Sequence, residues 1–560
     1  MIRRPLALAA AILGLLAGAS PALAADDPTD ESPFGGELPP PFERPSSQSK
    51  PPPGFAISAE RAIQLAAQSS VVREELSETP NARPEAFIRG ERWQVNYANP
   101  QGERVALVIL DGTSGAIDEA WRDYQVETPL ARGYSDAIAQ KVNALYVWLP
   151  LCVLFFAPFF DPRRPLRLLH LDLLVLLALG LSLFFFNRAE ITASVALTYP
   201  VLGYFLVRMV VAGLWPRERR GPLVPFFPAR LLVIGVVGLL AARAALNIVD
   251  SHVIDIGVAG VIGADRIAHG EPLYEGGFSP GLDLHGDVYA PFNYLAYLPF
   301  ELAFPWDGVW DANVPAAHAA AIGFDLLCVL GLIALGRRLR LGEEGRALGW
   351  ALAFAWAACP WTLYTMNANA NDALIAALGI AALLAVRSPP GRGALVALSA
   401  GAKFGPAALA PLFATGDGER RWSQAAWFGV AFAIVAAALV VPFIPDGGLR
   451  EMYDRTLGYQ ATRSSPFSVW GQAPSLDSLQ PIVRAAVALL ALAVAFMPRF
   501  RTPLQIAALA AAVTIAVQLT AAHWFYFYVV WFLPFALVAA FGAQHEVTRS
   551  ASGDRRAAVS

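Results

Sequence analysis

The chain has 560 residues, of which 56% are hydrophobic and 16% charged, and its mean hydropathy is +0.46. Apolar runs of about 20 residues recur along it, which is typical of a polytopic membrane protein and argues against a soluble globular one. A net charge of -3 argues against a nucleic-acid partner. The three cysteines are far apart and form no metal-binding spacing, so we expect inert thiols and no disulfide framework.

The first 24 residues predict a secretory signal peptide. Arg3 and Arg4 form a basic start, an apolar stretch covers residues 6–16, and Ala22-Leu23-Ala24 is typical of a cleavage site. An uncleaved anchor is the alternative, and both interpretations place the next residues of the chain outside the cytoplasm. Residues 25–54 are rich in Pro, Ser, Asp and Glu, which predicts a disordered linker.

Residues 55–130 predict a small soluble domain. Residues 57–76 have helical spacing of apolar side chains, and residues 93–95 and 105–110 predict strands around an Asn-Pro-Gln-Gly turn. Asp111 begins a second turn and is interpreted as a turn residue. The helix, the WQV strand and the VILDGTSG turn resemble the PepSY-like domains, which implies an α+β domain that binds or senses something outside the membrane.

From residue 143 the chain predicts a mainly α-helical polytopic membrane protein of about 11 spans and one broken hairpin. The predicted apolar runs are 143–160, 171–187, 190–213, 229–248, 312–335, 347–365, 372–387, 393–414, 424–443, 482–498, 503–521 and 525–543. Arginine clusters between the runs orient them by the positive-inside rule. We divide this part into a three-span module, 143–222, a larger module, 225–545, and a cytoplasmic tail, 546–560.

The run 393–414 is the exception, because basic residues flank it on both sides. Gly401, Lys403, Gly405 and Pro406 stand at its middle. We expect two half-helices that enter and leave on the cytoplasmic side, since broken helices occur at membrane depth only where the freed backbone is buried or lines a cavity. The same topology places three polar segments outside, at 249–311, 365–372 and 444–481.

The first of these segments begins DIGVAGVIGADRIAHGEPLYEG and continues through YAPFNYLAYLPF. An acidic residue just past a span, a G-x-x-x-Y element, and a Tyr and a Pro close together resemble the C superfamily of membrane glycosyltransferases. The closest likeness is to polyprenol-phosphate-dependent mannosyl- and arabinofuranosyltransferases such as family 87. The corresponding positions are Asp255, Gly270, Tyr274, Tyr289 and Pro291.

Three more motifs agree with this resemblance, which covers about residues 225–543: NANAND at 367–372, GAKFGP at 401–406 and HWFYFYVVWFLP at 523–534. Members of the family often carry an aromatic residue four positions after the Asp, where this chain has Ala259. Asp250 is also available, so the sequence offers two candidates, Asp255 and Asp250, for the functional carboxylate.

The resemblance implies that a mannose- or arabinofuranose-class sugar is transferred, with inversion, from a polyprenyl phosphate to an extracytoplasmic glycan or glycolipid. Such a transfer needs a carboxylate base, for which the candidates are Asp255 and Asp250. The donor phosphate needs cationic or hydrogen-bonding groups, for which the candidates are His523, Lys403 and Arg463. The candidate substrate-binding residues are Tyr274, Tyr289, Asn293, Asn367 and Asn371. No cofactor or metal is required, and the expected location is a bacterial plasma membrane.

These residues also have structural interpretations. Asp255 suits an N-cap before Ile256, and the asparagines of 367–371 suit helix ends. Trp524 to Tyr528 suit an aromatic belt at the membrane interface, or the wall of a sugar or lipid groove. Two other functions compete: a lipid or solute carrier, favoured by Lys403 but weakened by the lack of an internal repeat, and a non-catalytic sensor or scaffold.

Overall fold

The computed structural model describes residues 43–128, 131–133, 138–217, 219–274, 278, 286–308, 314–463 and 465–545. The predicted signal peptide, the first part of the predicted linker and the predicted tail lie outside the described residues. The end of the linker, residues 43–54, contacts the adjoining soluble domain, because Glu43 and Ile88 exchange two backbone hydrogen bonds of 3.0 and 2.8 Å.

The soluble domain is a four-stranded antiparallel meander with helices on its faces. Its elements are α1 (Ala59–Ala66), α2 (Ser70–Glu78), β1 (Arg83–Arg89), β2 (Arg92–Ala98), β3 (Arg104–Asp111), β4 (Ile117–Arg122) and α3 (Tyr124–Glu127). Residues 105–110 of β3 are all apolar, which suits a strand whose two faces are both covered. Val108 packs with α1 on one face, and Leu107 packs with Val126 of α3 on the other.

The predictions for this domain are confirmed for the two central strands and for the turn at Asp111, whose Oδ1 accepts from Ser114 N at 2.6 Å. The single helix predicted over residues 57–76 is wrong. It is two helices, because Val72 of the second packs onto the same core as the first and tertiary packing overrides the continuous spacing. β1 and β4 were not predicted from the pattern.

Helices make up the membrane part. They are α4 (Gln140–Asn143), α5 (Leu145–Phe156), α6 (Leu168–Phe186), α7 (Ile191–Leu214), α8 (Ala229–Val249), α9 (Asp255–His269), α10 (Phe292–Leu295), α11 (Leu298–Glu301), α12 (Pro315–Leu339), α13 (Gly342–Ala358), α14 (Pro360–Asn367), α15 (Asp372–Leu384), α16 (Pro389–Ala402), α17 (Ala410–Thr415), α18 (Arg421–Val440), α19 (Gly448–Tyr453), α20 (Tyr459–Thr462), α21 (Val469–Gln472), α22 (Gln480–Ala493), α23 (Pro503–Leu519) and α24 (Val529–Gly542). A two-residue parallel pair joins β5 (Arg219–Arg220) to β6 (Gln544–His545).

Among the described residues, five helices are long and apolar enough to cross a membrane: α6, α7, α8, α12 and α18. The other apolar helices are shorter, so the predicted total of about 11 spans is not confirmed. One predicted run, 347–365, is interrupted where α13 ends at Ala358 and α14 begins at Pro360. Proline has no N–H for the helical ladder, and it is well suited to start a helix.

The chain breaks inside the predicted hairpin as expected. α16 ends at Ala402, Lys403 is extended with φ -144° and ψ 140°, and a 3-10 turn over Gly405–Leu409 leads into α17. A Cβ on Gly416 would lie 2.6 Å from Nη1 of Arg392, so the chain returns to the level at which it entered. The two half-helices therefore form a hairpin with Lys403 at its tip.

The arginine clusters gather at the end of the bundle away from that tip. Arg167 donates to the Gln544 side chain at 2.8 Å, and Arg340 donates to the carbonyl of Gly542 at 2.9 Å. Arg501 donates to Thr415 Oγ1 at 2.7 Å, at the open end of the hairpin where α17 ends. One end of the bundle is thus strongly basic. The positive-inside rule requires the arginine-rich loops to lie on one side of the membrane, and this arrangement agrees with it. The orientation in a membrane stays a prediction.

The interfacial belt predicted over Trp524 to Tyr528 is wrong for its first four residues. Trp524, Phe525, Tyr526 and Phe527 are all buried, and the Tyr526 hydroxyl lies 2.7 Å from Ser182 Oγ of α6. These rings join the three-span module to the rest of the bundle, because their hydroxyl and apolar surfaces are satisfied there rather than at an interface. Tyr528 alone is partly exposed.

Candidate active site

The site is built where α8 ends and α9 begins, at the end of the bundle opposite the arginine clusters. Three glycines on α9 let other chain segments approach its backbone closely. A Cβ on Gly257 would lie 2.7 Å from Asn369 O, and Cβ atoms on Gly260 and Gly263 would meet the rings of Tyr297 and Tyr294 at 2.4 and 2.2 Å. The glycine repeat in DIGVAGVIGA is therefore a packing surface that fixes the start of α9.

Asn369 holds the loop that leads to Asp255. Its Nδ2 donates to Ser251 Oγ and to His252 O, both at 3.0 Å, and its Oδ1 accepts from Asn247 Nδ2 at 2.9 Å. Its backbone is left-handed, with φ 54°, which asparagine tolerates better than most residues. Both the oxygen and the nitrogen of the Asn369 side chain are hydrogen-bonded within the protein. Asn369 therefore supports the loop and does not contact a ligand.

Asp255 is the first residue of α9 and not its N-cap, because the cap position is Ile254. Its Oδ1 accepts from the backbone N–H of Ile256 at 2.7 Å. A carboxylate at a helix N-terminus is stabilised in its charged form by the helix dipole. Asp255 is partly exposed, so a ligand can reach its carboxylate while its backbone is fixed.

Asp250, the other candidate base, has a different environment. It stands at the C-terminal end of α8, and its Oδ2 lies 2.6 Å from Lys141 Nζ. Its backbone carbonyl accepts from Asn367 Nδ2 at 2.9 Å. Asp250 is therefore engaged in an ion pair with the N-terminal part of the chain, which favours Asp255 as the base.

Arg463 lies close enough to Asp255 for their charges to interact. Burial opposes the charge of Arg463, but the electrostatic interactions with Tyr459, Tyr289 and the carboxylate of Asp255 outweigh it, so the pKa of the guanidinium is raised. Within the described residues, the guanidinium has no hydrogen-bond or ion-pair partner. Guanidinium N–H donors that meet no acceptor among the described residues can donate to the oxygens of an anionic ligand.

Lys403 is held at the hairpin tip by Asp372. Its Nζ lies 2.7 Å from Asp372 Oδ1, which also accepts from Trp531 Nε1 at 2.6 Å. The ammonium lies 5.6 Å from the ring centre of Tyr528 and 5.4 Å from that of Trp531. Asp372 is the first residue of α15 and fixes this lysine, and its second oxygen has no hydrogen-bond partner among the described atoms.

His523 lies in the loop before α24 and is held by Ser465, whose Oγ is 2.9 Å from Nδ1. Burial, together with the positive charges of Arg463 and Lys403, lowers the pKa of His523 well below its usual value. The imidazole is therefore neutral near pH 7, and it can donate one hydrogen bond to a phosphate but not a charge. Its expected role as a donor-phosphate ligand stays a prediction, with hydrogen bonding as the contribution of the neutral ring.

Tyr528 connects these residues, in agreement with the second interpretation of the aromatic run, the wall of a groove. Its ring centre is 4.7 Å from that of Trp531 and 6.3 Å from that of His523. It also lies within electrostatic range of Asp372, Arg463 and Asp255. The only signal in the sequence was its place in an aromatic run, which does not distinguish it from its buried neighbours.

The candidate substrate-binding tyrosines have unequal access. Tyr274 is buried, and its hydroxyl donates to the backbone carbonyl of Tyr289 at 2.7 Å, so it shapes the chain and does not face a ligand. Tyr294 does the same for Gly286 O at 2.7 Å. Tyr289 is partly exposed and lies close enough to Arg463 for an electrostatic interaction. Nearby, Arg455 fixes Asp287 through a 2.7 Å ion pair.

The candidate asparagines lie beneath the site and are buried. Asn371 donates from Nδ2 to Oδ1 of Asn293, which leaves Asn293 Nδ2 and Asn371 Oδ1 without partners among the described atoms. Asn367 is bound to Asp250 O, and its Oδ1 is likewise without a partner. A hydroxyl group that both donates and accepts would satisfy the Asn293–Asn371 pair.

The described residues contain no group of three His, Cys, Asp or Glu side chains placed to hold a metal ion. The expectation that no metal is required stays a prediction.

Comparison with known proteins identifies one family. Residues 288–527 match the model of glycosyltransferase family 87. No curated protein matches the chain, and no solved structure does. The matched segment contains Tyr289, Asn293, Lys403, Arg463 and His523, whereas Asp255 precedes it. The match and the apolar helices together support a membrane glycosyltransferase.

Proposed function

We propose that the protein transfers a sugar of the mannose or arabinofuranose class from a polyprenyl phosphate to an extracytoplasmic glycan or glycolipid, with inversion at the anomeric carbon. The family match supports sugar transfer. The observation that carries the choice of a phosphate donor is Arg463, a guanidinium without a partner among the described residues, beside the carboxylate of Asp255. A base next to an unmatched cation is what this reaction needs.

The proposed step is a single displacement. Asp255 accepts the proton of the acceptor hydroxyl. At the same time the acceptor oxygen forms a bond to the anomeric carbon. The bond from that carbon to the phosphate oxygen breaks, and the electron pair leaves with the polyprenyl phosphate. Arg463 and Lys403 stabilise the added negative charge, and neutral His523 donates a hydrogen bond.

The supporting residues have a clear division of tasks. Asp372 and Trp531 hold Lys403 at the hairpin tip, which leaves two of its three N–H donors for a phosphate. Tyr289 and the Asn293–Asn371 pair are proposed to contact the sugar or acceptor. Tyr274 and Asn367 support these groups through the backbone.

The test uses the full chain in lipid nanodiscs, supplied with a panel of radiolabelled polyprenyl-phosphate sugars and membrane extracts as acceptors. We expect release of polyprenyl phosphate and label in the acceptor with at least one donor, and a loss of about a thousandfold or more in Asp255→Asn. Asp265→Asn, on the same helix but paired with His269 at 3.1 Å, is the matched control and should transfer normally.

Two results would reject the proposal. One is the absence of transfer from every lipid-phosphate donor by a folded wild-type protein. The other is undiminished transfer by both Asp255→Asn and Asp250→Asn at equal expression, whereas an active Asp255→Asn with an inactive Asp250→Asn would move the base to Asp250.

A further inference from the structure

The segment that joins the soluble domain to the first apolar helix is fixed at both of its ends. Arg132 donates to the carbonyls of Gln125 and Val126 at 2.9 and 2.7 Å. Gln125 also reaches the carbonyl of Ala189, between α6 and α7, at 3.5 Å. Asn143 donates from its side chain to Ile138 O at 2.8 Å. Asn143 also shares a side-chain hydrogen bond with Tyr364 of α14, so the short helix α4 is held against the membrane part.

From α4, Lys141 makes the 2.6 Å ion pair with Asp250. Asp250 is bound a second time through its carbonyl, which accepts from Asn367 Nδ2 at 2.9 Å. One residue at the end of α8 therefore connects the N-terminal part of the chain with the asparagine loop that supports the site.

Asp250 is only five residues from Asp255, and the chain between them is short and restrained. Ser251 and His252 are bound by Asn369, and Ile254 N donates to Ala368 O at 3.3 Å. Such a loop cannot extend or rearrange far, so a displacement of Asp250 also displaces the start of α9.

We propose that Lys141 is a positioning residue, through which the N-terminal part of the chain sets the placement of Asp255. This inference rests on the proposed function. Lys141 and Asp250 are 50% and 35% exposed, and pairs at such exposure contribute little to folding stability. The effect of the pair is therefore expected on catalysis rather than on folding.

Lysine is rare in this chain, which makes the test selective. The sequence contains three lysines, Lys50, Lys141 and Lys403, and arginine supplies the rest of its 42 basic residues. Lys50 is exposed near the start of the soluble domain and provides a matched control.

The experiment compares Lys141→Ala, Lys141→Glu, Lys50→Ala and the exchange Lys141→Glu with Asp250→Lys, each as the full chain in nanodiscs. We expect kcat to fall about fivefold in Lys141→Ala and about tenfold in Lys141→Glu, with the donor KM within about twofold of wild type. The exchanged pair should recover most of kcat, and Lys50→Ala should match wild type. Thermal unfolding should be unchanged in all four.

The inference is overturned if Lys141→Glu transfers like wild type, or if the exchange is no better than the single variant in a protein that still unfolds normally. Failure of the proposed function gives a different pattern, since wild type would then transfer nothing or Asp255→Asn would stay active. Recovery in the exchange also shows that no carboxylate at position 250 is needed.

Discussion

Lys403 and Asp372 are joined across 2.7 Å at the tip of the broken hairpin, and both side chains are at least nine-tenths buried. The pair links the point where α16 ends to the first turn of α15, and the two residues are 31 positions apart in sequence. Trp531 donates to the same carboxylate oxygen, so three segments meet at one group. A buried pair of this kind is costly to break, because removal of one partner leaves the other charge unmatched.

We therefore predict that Asp372→Asn destabilises the protein by about 3 kcal/mol and lowers transfer strongly. Lys403→Met leaves Asp372 charged and should be similarly harmful. The double variant, with both charges removed, should unfold closer to wild type than either single variant, while transfer stays low. Thermal unfolding in nanodiscs measures the first effect and donor turnover the second. Equal stability of all three variants would show that the pair carries no such penalty.

Two substitutions at Asn369 distinguish the contribution of its side-chain hydrogen bonds from that of its left-handed backbone. We predict that Asn369→Gly, which keeps the left-handed backbone but loses three hydrogen bonds, lowers kcat about tenfold. Asn369→Ala should be worse by about 1 kcal/mol in stability, because φ is 54° there. Steady-state transfer and unfolding midpoints measure the two effects. Normal turnover in the glycine variant would mean that the loop at Ser251 needs no support from this side chain.

The features that were predictable from the sequence are those with a local cause. Lys403 sits among glycines and a proline, so the break in the hairpin follows from backbone chemistry. Likewise, the two central strands of the soluble domain, β2 and β3, and the start of α9 near Asp255 follow from the pattern of apolar and polar residues.

Features that depend on partners far away in sequence were not predictable. Lys141 and Asp250 are more than 100 residues apart, and no periodicity indicates their ion pair. Tyr526 is in an aromatic run that suits a membrane interface, yet its hydroxyl is satisfied by Ser182, 344 residues earlier. A polar atom inside a helical bundle must find a partner, but only the tertiary structure decides which one.

Arg463 tests the proposed phosphate contact directly. We predict that Arg463→Lys raises the donor KM about tenfold, since an ammonium lacks the planar pair of donors that a phosphate accepts. Arg463→Gln should lower kcat/KM about a hundredfold. Arg450→Gln is the control, because Arg450 is on the same outer segment but 86% exposed and paired with Asp454. Donor titrations at fixed acceptor give the two constants, and a normal donor KM in Arg463→Lys would remove the residue from the phosphate site.

His523 makes stability depend on pH, and the sign follows from its lowered pKa. The unfolded chain binds a proton at this residue near pH 6.5, whereas the folded protein resists it, so between the folded pKa and about 6.5 the unfolded state carries more protons. The stability contribution of His523 is therefore complete above about pH 6.5 and is lost as the pH falls below it.

His523→Gln keeps an amide that can bind Ser465 but cannot titrate. We expect the unfolding midpoint of wild type to drop between pH 7.5 and pH 5.5, and the drop to be smaller in this variant, because one proton-linked term has been removed. Thermal unfolding in nanodiscs at both pH values gives the comparison, and the other histidines, common to both proteins, cancel in it. An identical drop in the two proteins would mean that folding does not lower the pKa of His523.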